Sequence, residues 1–380
     1  MEQKEEFAML ASRSDANFSL LCRRFNISRR TGYKWIDRYK ELGIGGLKEH
    51  SRCPRNVPIQ TPEAVEKRII DLRTENPEWG AKKLHKLLEN EKKEGLFDAV
   101  IPARGTITRI LHRNGLISEQ RSQQSKHWQR FEYDYPNELW QMDFKGDFAM
   151  LNSKRCHPLT ITDDHSRFNI GLFACDNQRY ESVRELLSQA FHTYGMPDKI
   201  LADNGSPWGT TGQQPTDGER IYSTMEKWLM AHRIKLIHGR AYHPQTQGKE
   251  ERFHRTLKTE LLNYKQFKDI VHCQQEFDRW RDKYNCQRPH EAISFEMPAN
   301  RYKPSLRTFE NVIAKPQYDS TDAVCKVHKN GLISYNRSQL KVGKAFGGDL
   351  VALRKTTSDG ILEVYYYEQL IRTISLHQVT

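Results

Sequence analysis

The stretch "LWQMDFKGDF", residues 139–148, alternates apolar and polar side chains with a period of two. Trp140, Met142, Phe144 and Phe148 fall on one face of an extended chain, and Gln141, Asp143, Lys145 and Asp147 on the other. That pattern predicts a strand with one buried face. An acid in the middle of such a strand is costly to desolvate and needs a partner. Asp147 cannot be that partner for a shared metal, because four residues of strand span about 13 Å. The partner must come from elsewhere in the chain.

Outward from this strand, "HPLTITDD", "RFNIGLFACD", "DKILADNG" and "IKLIHGRAY" read as four more strands. Between and after them, "YESVRELLSQAFHTYG", "GERIYSTMEKWLMAHR", "HPQTQGKEERFHRTLKTELL" and "FKDIVHCQQEFDRWRDKYN" read as helices. Three strands in succession and then an alternation of helix and strand predict a mixed five-stranded sheet with flanking helices over residues 131–290. In "KILADNG" the apolar run ends in Asp203, which puts that carboxylate at the C-terminal edge of the sheet, where α/β folds gather ligands. A third acid is one of the neighbours Glu250 and Glu251, which open the helix of residues 243–262. They are either first-turn acids complementing the helix dipole or part of a metal site that handles phosphates.

Residues 1–45 read as helices broken at Asn26-Ile27, with Ser28 capping "RRTGYKWIDRYKEL" and Gly43 ending it. Trp35, Tyr39 and Leu42 form an apolar stripe on that helix, with Arg30, Lys34 and Arg38 opposite. Phe18 to Lys40 holds seven basic residues and one acid, so the segment reads as a helix-turn-helix DNA reader with Arg29, Arg30 and Lys34 as contacts. A basic linker at 46–60 leads to a second helical, helix-turn-helix-like domain at 61–118, whose last helix carries Arg104 and Arg109 toward DNA. A polar linker follows at 119–130, and the core at 131–290 leads through a connector at 291–320 to residues 321–380. There, short strands around Asn330-Gly331 and Asp359-Gly360 predict a small β-barrel.

At 380 residues the chain can build several cores, and 37% hydrophobic with 28% charged residues describes a soluble protein. A net charge of +12 and a pI near 9.2 favour a polyanionic partner, most simply nucleic acid. The seven cysteines show no C-x-x-C pair and no paired histidine spacing, which excludes a zinc knuckle or a disulfide framework and fits a reducing cytosol. No apolar run approaches the ~18 residues of a membrane span, and "MEQKEEFAML" lacks a signal-peptide pattern. The expected place is the cytoplasm, with no membrane partner, no organic cofactor and no small-molecule substrate.

"WQMDF", "LADNG" and "HPQTQGKEERFHRTLK", in that order, resemble the DDE catalytic core shared by retroviral integrases and bacterial insertion-sequence transposases. The helix-turn-helix, the "YNCQRPHEAISFEMPANRY" stretch and the β-rich end resemble the insertion-sequence branch, so the likeness covers nearly the whole chain. The resemblance implies a ribonuclease-H-like fold in which Asp143, Asp203 and Glu251 are both the catalytic triad and the ligands of two Mg²⁺ ions, with Mn²⁺ as a substitute. Glu251, three residues after the glycine of "PQTQG", matches the family's glutamate. The helical wheel agrees: Glu250 lies on the line of Phe253, Leu257 and Leu261, and Glu251 lies with Arg255 and Lys258. In the family's fold the face of Glu251, Arg255 and Lys258 looks toward DNA. The spacing from Asp203 to Glu251 is longer than in many relatives, and the excess falls in a polar, glycine-rich insertion at 206–220. Asp163 and Asp164 are assigned to a tight turn. His157, His165, His243 and His254 are read as structural or phosphate-facing, because Mg²⁺ takes oxygen ligands.

The implied activity is that of a bacterial DNA transposase, bound to the nucleoid when on DNA. It would bind terminal repeats in double-stranded DNA, cleave the element's ends to 3′-OH and join them to target DNA, as a homo-oligomer of at least two copies. Two rivals are a metal-dependent nuclease that cuts without strand transfer and a non-catalytic helix-turn-helix regulator.

Overall fold

In the computed structural model, residues 2–49, 61–117, 132–203, 205, 207–208, 220–238 and 248–376 are described. Three helices come first: α1 (Glu2–Ala11), α2 (Phe18–Arg24) and α3 (Arg29–Leu42). The Asn17 side chain caps α2 by accepting the Leu20 N–H at 3.1 Å, and Ser28 caps α3 through the Thr31 N–H at 3.1 Å. Between them Asn26 turns the chain at φ 49°. Phe7, Cys22 and Ile36 form the centre of this bundle, with Phe18, Phe25 and Trp35 around it. Gly32 permits the close approach, since a Cβ there would stand 2.9 Å from the rings of both Phe7 and Phe18. The buried stripe of α3 is therefore centred on Gly32 and Ile36. Leu42, expected on it, is exposed, because at about 100° per residue it lies roughly a quarter-turn away. Residues 1–62 form one compact unit and 63–380 a second.

The second unit starts with α4 (Glu63–Glu75), α5 (Ala81–Lys93) and α6 (Arg104–Arg113), packed around Ile69, Leu84, Leu88, Ile107 and Leu111. Next come β1 (Leu139–Phe144), β2 (Phe148–Ala149), β3 (Arg155–Asp163), β4 (Asn169–Cys175), α7 (Tyr180–Tyr194), β5 (Lys199–Ala202), α8 (Thr224–Ala231) and β6 (Lys235–His238). The five long strands lie in the order β4-β3-β1-β5-β6. The β1–β3 and β3–β4 pairs are antiparallel, and β1–β5 and β5–β6 parallel, which is the mixed sheet expected. One departure lies at Gly146, whose φ of 88° ends β1 at Phe144. As a result Phe148 packs on Phe267, on the face opposite Trp140 and Met142. Helix α8 also starts later than expected, because Ser223 accepts the Glu226 N–H and caps it there.

One sheet face packs on α7 and α8 through Trp140, Met142, Ile161, Leu187, Phe191 and Leu229. The other packs on α9 (Gly248–Leu257), which continues through a π-helical turn at Lys258–Leu262, and on α10 (Ile270–Cys286). After the short α11 (Pro298–Arg301) come β7 (Ala323–Lys326), β8 (Leu332–Tyr335), β9 (Ser338–Lys341), β10 (Leu350–Lys355), β11 (Ile361–Tyr366) and β12 (Gln369–Ser375). They form an antiparallel sheet β12-β11-β10-β7 and a separate β8-β9 hairpin around one core. Among the described residues no pairing closes them into the expected barrel. The strands flanking Asn330-Gly331 belong to different sheets, so the hairpin turn of this stretch is Asn336-Arg337 instead. Tyr222 and Met230, from the segment around α8, belong to that core. Among the described residues no helix is long and apolar enough to cross a membrane.

Candidate active site

Because Trp140 and Met142 fill the core on one face of β1, Gln141 and Asp143 face α9 on the other. Asp143 pairs with Thr160 of β3, and Gln141 with Thr162. The Thr160 hydroxyl lies 3.0 Å from the Asp143 carbonyl oxygen, 3.0 Å from Glu250 Oε2 and 2.9 Å from His254 Nε2. The Thr162 hydroxyl holds the other carboxyl oxygen of Glu250. A hydroxyl carries one proton, so some neighbour of Thr160 must donate to it. His254 can do so through Nε2–H: burial and the nearby Lys145 push its pKa down to about 4, which leaves a neutral ring. Burial pushes Glu250 up to about 8, with the charge of Asp143 adding to the shift.

The residue before this buried acid is also anchored. Lys249 Nζ donates to Asp164 Oδ1 at 2.5 Å, and Asp164 accepts the Gln141 side chain and the Tyr133 N–H as well. Asp163 makes the turn expected of it by accepting the backbone N–H and the hydroxyl of Ser166. Glu251 comes next and is exposed on α9 with Arg255 and Lys258, while Glu250, Phe253, Leu257 and Leu261 are buried as the wheel indicated.

Asp203 follows the last residue of β5. Its Oδ1 accepts the Gly205 N–H at 2.9 Å, and a Cβ on Gly205 would stand 3.0 Å from Asp203 Oδ2. His238 Nδ1–H donates to the Asp203 carbonyl oxygen at 2.9 Å. Trp208 is buried and stacks on Phe144, the neighbour of Asp143, with ring centroids 5.5 Å apart. The loop of Asp203 is thus clamped to the strand of Asp143. Most of the 206–220 insertion lies outside the described residues, as does His243.

Asp203 and Glu251 both lie within electrostatic reach of Asp143. Burial first, then the negative charges of Asp203 and Glu251, push Asp143 up to about 6. Three carboxylates supply the hard oxygen donors that Mg²⁺ and Mn²⁺ prefer. Among the described residues no three His, Cys, Asp or Glu side chains stand close enough to form a finished metal cage. The fit to metal is one of donor chemistry and charge.

Lys145, two residues beyond Asp143, is pushed below its ordinary pKa by burial and by the charge of Lys258. Two cations that repel each other beside an acidic cluster are suited to phosphate. Lys145 was legible on the polar face of its strand, yet only the fold shows that Lys258 approaches it. Arg29, Arg30 and Lys34 are exposed on α3 in the first unit, and Arg109 on α6 in the second. Arg104 lies 5.3 Å from the ring centre of Phe295, so its guanidinium meets the core segment as well as solvent. His165 Nδ1–H donates to the Tyr133 carbonyl oxygen, a structural role.

The integrase core domain family matches residues 134–244 and 232–298. A helix-turn-helix domain matches 3–55, a homeodomain-like domain 31–111, and the C-terminal domain of IS481 family transposases 322–380. An uncharacterized 31.7 kDa protein of insertion element IS407 from Burkholderia multivorans is 25% identical over 246 residues, covering 64% of this chain and 82% of its own. An uncharacterized 39.2 kDa protein of insertion element IS476 from Xanthomonas euvesicatoria is 26% identical over 260 residues, 67% of this chain and 69% of its own. A chain in the cryoEM structure of the simian T-cell lymphotropic virus intasome in complex with PP2A regulatory subunit B56 gamma aligns with 80% of this chain and 99% of its own, at 17% identity and a TM-score of 0.38. Together with the helical domains at the N-terminus, the family matches and the insertion-element relatives place this chain among the bacterial insertion-sequence DDE transposases with an integrase-like core.

Proposed function

We propose that the protein is a transposase that binds the terminal repeats of its own mobile element, cuts the ends to 3′-OH and joins them to target DNA. The observation that carries this reading is the Asp143 carboxylate, turned to the polar side of its strand, where burial first and then the charges of Asp203 and Glu251 raise its pKa. Asp143, Asp203 and Glu251 would hold two Mg²⁺ ions, or Mn²⁺ in their place. Bound there, such ions supply Lewis-acid stabilisation to the attacking and leaving oxygens of an in-line phosphodiester displacement. Lys145, Arg255 and Lys258 hold the DNA backbone beside the acids. Buried Glu250 and neutral His254 keep the strand of Asp143 and the helix of Glu251 in fixed relation. Arg29, Arg30 and Lys34 on α3, and Arg109 on α6, engage duplex DNA in the manner of helix-turn-helix readers. Two ends meet one target, so the working form is at least a dimer, acting on the bacterial nucleoid.

The test is the purified protein with Mg²⁺ and the DNA flanking its own coding region, scored for cut ends and for joined products. Cut and joined products that vanish in Asp143→Asn support the proposal. Cutting without joining favours the nuclease, and binding without either favours the regulator.

A further inference from the structure

The helical segment 63–117 is fastened to the catalytic core along one continuous seam. Buried Trp79 has Lys83 Nζ at 5.8 Å from its ring centre and Lys283 Nζ, from α10, at 5.4 Å. Lys283 also donates to the Glu75 carbonyl oxygen at 3.2 Å. Beside them Glu260, on the π-helical turn that prolongs α9, accepts from Arg288 Nε at 2.8 Å and lies 3.8 Å from Lys83 Nζ of α5. These three charged side chains are 11–19% exposed, so losing Glu260 would leave two largely buried cations facing each other. Further along, Arg104 at the start of α6 covers the ring of Phe295. Ser294 and Phe295 both hold positive φ, 57° and 62°, a conformation that non-glycine residues keep only where the surroundings impose it. Lys82 to Glu291 at 2.7 Å completes the seam.

All three helices are therefore anchored, α4 at Glu75, α5 at Lys82 and Lys83, and α6 at Arg104, which restrains rotation as well as sliding. Glu260 belongs to the same helical run as Glu251, so the joint acts directly on the helix that carries the candidate catalytic glutamate. We propose that this seam is a register device. It holds the exposed face of α6, with Arg109, at a set distance from the Asp143 strand, so that the DNA step engaged by α6 selects the phosphate that is cut. The inference rests on the DNA-cleaving reading above. Phosphates repeat about every 3.4 Å along a strand, so slack of a few ångströms at the seam would shift the cut to a neighbour.

The experiment uses the full chain with Cys53, Cys286 and Cys325 changed to Ser and spin labels at His112→Cys on α6 and Glu181→Cys on α7. Pulsed electron resonance should give one narrow distance distribution. Glu260→Gln and, separately, Phe295→Ala, each checked for folding by thermal melting, should broaden it. The same proteins, given end DNA and Mg²⁺, are mapped for cut position at nucleotide resolution. One cut phosphate in the parent and a spread over neighbouring phosphates in both variants is the expected result. A broad distribution in the parent overturns the proposal, and so does an unchanged single cut in a variant whose distances have broadened. A parent that keeps the narrow distance but cuts nowhere refutes the cleavage reading and leaves the docked arrangement standing.

Discussion

Glu250→Gln separates two adjacent glutamates that a sequence search would treat as a pair. The Glu250 carboxyl is 2% exposed, and its contacts are Thr160 and Thr162. A free glutamate loses its proton near 4.5, whereas burial holds this one to about 8. Between those values the folded protein therefore holds a proton that the unfolded chain has lost. The folded-state pKa is the raised one, so this group's contribution to stability is full below 4.5 and disappears as pH rises through about 8. The slope is at most about 1.4 kcal/mol per pH unit for one proton. Gln cannot ionise, so the variant should lose that slope and exceed the parent in stability at the alkaline end. Glu250→Ala should instead destabilise by about 1–3 kcal/mol, because the Thr162 hydroxyl loses its Glu250 partner while Thr160 keeps the Asp143 carbonyl oxygen and His254. That is a large share of a typical ~5–15 kcal/mol.

Urea unfolding in the presence of a chelator, repeated across the window between the two pKa values, measures the slope directly. End cleavage with Mg²⁺ reports chemistry on the same preparations: Glu250→Gln should cut, and Glu251→Gln should be folded and inactive. An unchanged slope in Glu250→Gln would show that the buried carboxyl is ionised after all. A folded but dead Glu250→Gln beside an active Glu251→Gln would reverse the assignment of the two residues.

Asp143→Asn should abolish cutting and leave binding to the terminal repeat nearly intact, as read by gel shift beside the cleavage assay; appreciable Mg²⁺-dependent cutting by this variant counts against the triad. Because Asp143 is held up to about 6, Mg²⁺ must compete with a proton there, so affinity measured by calorimetry should weaken as pH falls through that value. A flat profile would mean that Asp143 is not a ligand. Arg30→Ala with Lys34→Ala should weaken repeat binding and flatten its salt dependence, each lost phosphate contact lowering the slope by about one; unchanged binding and slope would exclude α3 as the reader. Lys145→Ala should raise the KM for end DNA several-fold with a smaller change in kcat, and a lowered kcat at unchanged KM would contradict a phosphate-holding role.

What was legible in the sequence followed from local periodicity. Period two gave Asp143 its face, the apolar run before Asp203 put that acid at a strand end, and the helical wheel turned Glu250 inward and Glu251 outward. What was not legible depended on partners distant in sequence. Gly146 at φ 88° ends β1 early and sends Phe148 to the other side of the sheet, a backbone event that an alternating pattern cannot announce. Asn330-Gly331 does turn the chain, but β7 finds its ladder with β10 and β8 with β9, because pairing is settled by the whole C-terminal core. Leu42 was placed inside by its apolarity, whereas the close approach of Phe7 and Phe18 at Gly32 decides which stripe of α3 is covered. Lys145 was seen as one more polar residue, since Lys258 reaches it only once α9 lies across the sheet.

The head of α9 shows how an exposed acid can be held in place without a packing partner of its own. A helix rotates its side chains by about 100° per residue, so three consecutive residues point in three directions. Lys249 is tied to Asp164 in the turn between β3 and β4, and Glu250 to Thr160 and Thr162 on β3 itself. Two anchors in different directions leave the helix neither free to spin nor free to slide, which sets the direction of Glu251. Thr160 in turn donates to the carbonyl oxygen of Asp143, so the same hydroxyl that receives the helix also braces the strand of the first acid. A first-turn acid acting only on the helix dipole would be a matter of about 0.3–1 kcal/mol. The burial of Glu250 on two threonines makes it instead the point at which the two halves of the acidic cluster are joined. Its value lies in shape and hydrogen bonding rather than charge, which is why Gln should replace it and Ala should not.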